Sequence, residues 1–317
     1  MFFPVGNVPV DPVGLFFLEI IGFFIWVGFW TITIGRWMWE SVQAVWKSFV
    51  GVMAPTTTYG LPKEEFTTIK DSFKSVDEIK KELRKLGLES SNLIIGIDYT
   101  QSNETQGART LGGNSLHFID PYRRQENPYQ RIIGTLGRTL AEMDEDGIIP
   151  CFGFGDLSTK NKSVIPILSE TGSYCFGFEQ VIESYNRITP TLKLAGPTSF
   201  APIIYKAIEI VKQKNEFHIL IVITDGQVSG SDYESTVNAI VKATSYPLSI
   251  IVIGVGDGPW DNMEEFDDKL PERRFDNFQF VDYHKWLRED GADEDFKLKA
   301  MMELPEQYAA MQKLKLL

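Results

Sequence analysis

The sequence predicts an α/β fold: a doubly wound, mainly parallel sheet with helices on both faces, preceded by an N-terminal transmembrane helix. Three observations predict it. Short apolar, β-branched runs, such as Leu93 to Ile97, Phe217 to Thr224 and Leu248 to Val255, read as strands buried on both faces. Segments with helical apolar spacing separate these runs, and strands that alternate with helices imply parallel neighbours joined by crossovers. A third stretch, Gly14 to Ile34, is apolar on every face, with Glu19 its only charge. A run of ~20 such residues spans a bilayer as a helix.

The N-terminal span reads as an uncleaved anchor. No Lys or Arg precedes it, so neither a secretory signal nor an Arg-rich transit peptide is indicated. Asp11 lies before it, and Arg36 and Lys47 lie after it. The positive-inside tendency then places the C-terminal bulk on the cytoplasmic or matrix-like side of a membrane crossed once. Trp37, Trp39 and Trp46 follow, next to Glu40 and Lys47. Tryptophan concentrates at membrane interfaces, so Trp37 to Val52 reads either as a helix on the surface or as a continuation of the span against a partner. Glu19 either faces a partner inside the membrane or reaches toward the headgroups. The expected domains are an anchor and interfacial helix at 1–53, a linker at 54–74, the α/β domain at 75–290 and a helical tail at 291–317. The linker assignment rests on the Pro, Thr and Gly content of Ala54 to Pro62.

Within the α/β domain, Ser75 to Glu78 reads as a capping box that opens a helix with Val76, Ile79, Leu83 and Leu86 on one face. Gly87 stops it. Leu93 to Asp98 is the first core strand, and Ser115 to Ile119 reads as a short one. Asn127 and Pro128 open a helix as N-cap and first-turn proline. Its buried stripe is Ile132, Ile133, Leu136, Leu140 and Met143. Further strands are expected at Ile148 to Phe154, Phe217 to Thr224, Leu248 to Val255 and Asn277 to Val281. Further helices are expected at Gly177 to Ile188, Ser199 to Lys214, Asp232 to Ala243 and, broken at Pro305, Asp293 to Leu314.

The first core strand ends in Asp98, Thr100 and Ser102, oxygen-bearing side chains at alternate positions. Alternate residues of an extended segment leave the backbone on one side. Open α/β sheets place their ligands at the carboxyl ends of strands. A carboxylate and two hydroxyls there suit a hard divalent cation. On its own the triplet equally suits a polar loop after a core strand. Two distant segments add to it. Leu194 to Phe200 sets Thr198 in a Gly-Pro turn ahead of a helix, and Ile219 to Gly226 is a strand run that ends in Asp225.

With these segments the chain resembles a von Willebrand factor A domain. Asp98, Thr100, Ser102, Thr198 and Asp225, in that order, match the pattern of a metal-ion-dependent adhesion site. More narrowly the chain resembles the copine family, through "SLHFID", "GFGD", "GPTSFAPII", "ITDGQV" and "SIIVIGVGDGPWD". It is most similar to the plant copine-like RING-type ubiquitin ligases, from about Ser90 onward, including "FDDKLPERRFDNFQFV" and "MMELPEQY". The resemblance implies that these five residues hold Mg²⁺, Ca²⁺ or Mn²⁺. It implies that hydroxyls bind directly while a carboxylate acts through water. One position is then left for water or for an acidic side chain of a protein partner.

Composition narrows the function. The net charge is −12, from 31 Lys+Arg and 43 Asp+Glu. That balance argues against nucleic acid, whose binding rests on neutralised phosphates, and against electrostatic docking on anionic lipid. Two Cys and three His argue against a disulfide framework. They also cannot supply a RING finger, which needs four Cys/His ligands at each of two zinc sites. Gly153 to Asp156 and Gly254 to Gly258 resemble phosphate loops but make no phosphate-binding motif. Asp156 either neighbours the metal loops or caps its own turn. His117, His218 and His284 are expected to be structural, Cys151 an inert core thiol, and Cys175 a loop residue and the better candidate for reactivity. The expectation is a membrane-anchored, divalent-metal-dependent protein-binding module that is not an enzyme. One alternative is a constitutive accessory subunit of a large membrane complex, with the hydrophobic N-terminus as its assembly element. Another is a ubiquitin-ligase component that lacks its own RING.

Overall fold

Strand β1 (Asn92–Asp98) is the axis of the fold, with Leu93, Ile94, Ile95 and Ile97 all buried on its two faces. The computed structural model describes residues 73–317, except 110, 123, 145, 169–171, 173, 227, 229, 269, 271–272 and 287–292. The expected span at 14–34, the interfacial helix and nearly all of the linker therefore lie outside the described residues. Among the described residues, no helix is long and apolar enough to cross a membrane.

β1 lies between β2 (Ile148–Phe154) and β5 (His218–Thr224), parallel to both, with Ile95 level with Cys151 and Ile221. β6 (Leu248–Gly254) and β7 (Phe278–Asp282) extend the parallel array beyond β5. Two short strands, β3 (Ile165–Pro166) and β4 (Tyr174–Phe176), pair antiparallel with β2 and close the other edge. The order β3-β2-β1-β5-β6-β7, with β4 also on β2, is the mainly parallel α/β sheet that the sequence predicts.

Helices cover both faces because the strands alternate. Leu93, Ile95 and Ile97 share one core with α1 (Val76–Lys85), α2 (Pro128–Leu140) and α3 (Gly177–Ile188), through Ile79, Leu83, Ile132, Leu136 and Val181. Ile94, Leu220, Val222 and Ile250 share the other with α4 (Ala201–Lys214), α5 (Ser231–Ala243) and α6 (Asp261–Asp268), through Ile204, Ile240 and Phe266. Each such apolar side chain contributes about 1.5–3 kcal/mol on burial. Gly96 permits the close approach of α4, since a Cβ there would lie 2.7 Å from Ile203.

After the short α7 (Tyr283–Trp286), α8 (Glu294–Met301) and α9 (Leu304–Lys313) end the chain. The break between them falls at Met302 and Glu303, just before Pro305. Phe296, Met301, Leu304 and Met311 are buried in the core of α1, so this segment packs into the domain.

Several local expectations need correction. Ser115 to Ile119 is a turn rather than a strand. Its backbone is held by Leu116 N donating to Asn103 O at 2.9 Å and Phe118 N donating to Ser115 O at 2.9 Å, so no ladder forms. The box at Ser75 is only half formed: Glu78 N donates to Ser75 Oγ, but the Glu78 carboxylate accepts from Lys74 N. The reciprocal box is on α2, between Asn127 and Gln130. Cys175 lies on β4, fully buried, and burial raises its thiol pKa, so it is not a reactive loop thiol. The strands β3 and β4 and the helix α6 are too short or too polar to stand out as periodic runs.

Candidate metal centre

The carboxyl ends of β1 and β5 meet one loop ahead of α4, and all five predicted ligands lie there. Thr100 Oγ1 lies 3.2 Å from Ser102 Oγ and 3.4 Å from Thr198 Oγ1. Ser102 donates to Asp225 Oδ1 at 3.0 Å and Thr100 to the same oxygen at 3.4 Å. The loop with Thr198 is tied to β1 by Gln101 N donating to Ala195 O and Ala195 N donating to Tyr99 O. It turns through a cis Gly196–Pro197 peptide.

Asp98 stands slightly apart. Thr100 N donates to its Oδ1 at 2.8 Å, and Thr224 Oγ1 donates to its Oδ2. Gly155, at φ +84°, makes room for this arrangement, because a Cβ there would sit 2.5 Å from Thr100 Cγ2 and 3.3 Å from Asp98 Oδ1. Asp225 Oδ2, by contrast, is buried and has no hydrogen-bond partner. Burial leaves such an acceptor unstable unless something electropositive meets it. Burial raises the pKa of Asp98. Burial and then the nearby Asp98 charge push Asp225 up to about 8.

The hydroxyls face a groove of about 420 Å³, lined by Thr100, Ser102, Thr198, Pro197, Gly226 and Pro259 among others. Its described lining carries no charged side chain. A Cβ at Gly226 would lie in ordinary contact, 3.5 Å from Ser102 Oγ and 3.6 Å from Thr198 Oγ1, so this residue borders both hydroxyls. Among the described residues no three His, Cys, Asp or Glu side chains cluster in a metal-ligating group. Two carboxylates and three hydroxyls form a donor set for a hard ion such as Mg²⁺, Ca²⁺ or Mn²⁺, and the orphaned Asp225 oxygen fits it.

Supporting residues escaped the sequence reading. Asn103 donates through Nδ2 to Asp98 O at 3.3 Å and to Thr100 O at 3.1 Å. Tyr129 OH donates to Asn103 Oδ1 at 2.7 Å. His117 is buried between the rings of Tyr99 and Tyr129, and its Nε2 lies 2.7 Å from Asp98 O. Burial lowers its pKa to about 4, so the ring is neutral. These residues act through backbone carbonyls, which leaves no spacing pattern to read. Asp156 neighbours the metal loops, its backbone bridging Leu194, but Ser158 and Thr159 saturate its carboxylate, so the side chain caps its own turn. His218 and His284 also lie outside the cluster. His218 Nδ1 sits 2.8 Å from Glu216 O at the opposite end of β5.

The copine family model matches residues 115–317. The E3 ubiquitin-protein ligase RGLG2 of Arabidopsis thaliana is 47% identical over 283 residues, covering 83% of this chain and 60% of that protein. This chain thus spans less than two thirds of the length of RGLG2. Copine family protein 2 of Caenorhabditis elegans is 48% identical over 248 residues, covering 77% of this chain and 3% of that protein. Among solved structures, the manganese-loaded TRAP protein of Plasmodium vivax aligns with a TM-score of 0.42 and 14% identity, over 68% of this chain and 74% of that one. The expectation of a non-enzyme is overturned by the relatives: RGLG2, RGLG4 and RGLG5, each 46–47% identical, all bear the name of E3 ubiquitin-protein ligase. The nature of the domain is settled by the family model and by these identities together, and the chain belongs to the copine family.

Proposed function

We propose that the groove over Thr100, Ser102 and Thr198 binds a protein partner through a divalent cation, with Mg²⁺ the first candidate and Ca²⁺ or Mn²⁺ as substitutes. One observation carries the reading. Asp225 Oδ2 is a buried carboxylate oxygen without a donor, while Oδ1 of the same carboxylate meets the Ser102 and Thr100 hydroxyls that line an open groove. Asp225, Ser102, Thr100 and Thr198 would hold the ion, and Asp98 would add negative charge behind them. A bound cation supplies a Lewis-acidic point for an incoming carboxylate. The uncharged rim opposes no acidic side chain. Calorimetric titration of the full chain in detergent with Mg²⁺ and Mn²⁺ tests this. Binding is expected for wild type and absent for Asp98→Ala, and equal affinity in the two would sink the assignment.

The names of the relatives support a ubiquitin-ligase setting for this recognition, in which the domain would select what is modified. Binding of an acidic partner segment in Mg²⁺, and its loss in chelator, is the expected result. The segment at 14–34 anchors the chain in a membrane that it crosses once, with the α/β domain on the cytoplasmic or matrix-like side. Full-length protein should then resist alkaline carbonate extraction, and a chain without residues 1–53 should be soluble. Release of the full-length protein by carbonate would remove the anchor from the reading. Glu19→Leu should insert as well as wild type but recover fewer membrane partners if Glu19 meets another subunit.

A further inference from the structure

We infer that His117 is a positioning residue for the ion site, whose Nε2–H holds the main chain of Asp98 so that the next turn presents Thr100 and Ser102 to the groove. The inference deepens the cation-binding reading and rests on it for its functional meaning. A carbonyl oxygen only accepts, so the 2.7 Å contact to Asp98 O requires the proton on Nε2. Nδ1 is then the acceptor for Tyr185 OH at 2.8 Å. The tyrosine thereby selects the tautomer that can donate to Asp98, in the way a hydrogen bond at one ring nitrogen fixes the role of the other. Asn127 Nδ2 in turn donates to Tyr185 OH at 3.1 Å, which anchors the chain of bonds at the N-cap of α2.

Asp98 O meets three side-chain donors. Asn103 Nδ2 and Tyr129 OH reach it at 3.3 Å each, and His117 makes the shortest of the three contacts. The side chain of the same residue is fixed by Thr100 N and Thr224. Asp98 is therefore clamped at both ends, by His117 behind and by Thr224 in front. The turn that follows is short and stiff: Asn103 N donates to Thr100 O and Thr105 N to Ser102 O. A small rotation at Asp98 would carry both hydroxyls away from Asp225. The imidazole cannot shift to follow, because it is stacked on Tyr99 at 4.7 Å and on Tyr129 at 4.1 Å between ring centroids.

The stack and the donor can be separated. His117→Phe keeps a ring between the two tyrosines and removes the donor. His117→Gln keeps a donor and removes the ring. Tyr185→Phe leaves the histidine in place but frees its tautomer. In the full chain, calorimetric Mg²⁺ affinity should fall about tenfold or more in His117→Phe, several-fold in Tyr185→Phe, and least in His117→Gln. Hydrogen exchange of the Thr100, Asn103 and Thr105 amides, measured without metal, should speed up in the same order. A purely structural role would lower the melting temperature of His117→Phe while leaving its Mg²⁺ affinity and these amides unchanged, and that result overturns the proposal. If His117→Phe does not fold, Tyr185→Phe decides by the same two readouts. If wild type takes up no Mg²⁺, the cation reading falls, and the exchange rates alone decide whether His117 holds the turn.

Discussion

Two strand ends in this domain carry the same pair of residue types, in opposite order, and reach opposite states. After β2, Gly155 and Asp156 turn the chain; after β5, Asp225 and Gly226 do so. Asp156 receives donors from its own loop, from the backbone and hydroxyl of Ser158 and of Thr159. Burial opposes ionisation of Asp156, yet these bonds outweigh it and hold its pKa below the ordinary carboxylate value. Asp225 receives donors from the distant loop of Ser102 and Thr100, and only on one oxygen. Burial and Asp98 then raise its pKa to about 8. A carboxylate at a strand end thus becomes a candidate ion ligand when its own loop leaves it unsatisfied.

The contrast can be broken most directly at Asp225. Asp225→Asn should lose at least ~100-fold in Mg²⁺ affinity, about 2.8 kcal/mol at 1.4 kcal/mol per tenfold. The same change should leave the ion-free protein at pH 8 as stable as wild type or more so, because it removes a strained charge. Urea denaturation in chelator measures this, and a clear loss of stability would mean that Asp225 is a structural carboxylate like Asp156. Asp156→Ala should do the reverse. It should destabilise the fold by about 2 kcal/mol, since hydrogen bonds to a charged group contribute about 1.5–3 kcal/mol. Mg²⁺ affinity should stay within about twofold.

Proton competition gives the third test. The Asp98 and Asp225 carboxyls are raised above their ordinary pKa of about 4. The contribution of Asp225 to the stability of the ion-free protein is fully present below that value and is lost as pH rises through about 8, and that of raised Asp98 is lost in the same direction. Mg²⁺ affinity should therefore climb with pH up to about 8, by about tenfold per unit for one displaced proton. A flat pH profile for binding would detach the ion from this pair. The smallest effect is expected for Ser102→Ala, with a loss of about five- to tenfold, one neutral ligand being removed from a site that keeps both carboxylates. No change there would place Ser102 at the rim and not among the ligands.

The same contrast explains what could be read from the sequence. β1, β2, β5 and β6 are legible because strands buried on both faces are continuous apolar runs. The five candidate ligands are legible because they follow those runs at strand ends. The turn at Ser115 to Ile119 misleads, since Leu116 is buried and His117 packs as a core residue would, yet they are held by Asn103 and Asp98 and not by a neighbouring strand. Thr224 looked like the last residue of an apolar strand; its hydroxyl proves to be the donor that fixes Asp98. Whether Asp156 or Asp225 is satisfied depends on which loop folds over it, and only three-dimensional packing decides that.

The groove also reports on the order in which the chain assembles. Ser102 and Asp225 are 123 residues apart, and they meet only when β1 lies beside β5. Neither β1 with α1 nor β5 with the helices after it contains a complete donor set. Closing so long a loop costs chain entropy, so the pairing of β1 with β5 is expected to come late in folding. An ion captured by the finished site would then stabilise the paired strands in proportion to its concentration, by mass action. Divalent-ion supply would set how long a newly made chain stays closed between synthesis and its first encounter with a partner.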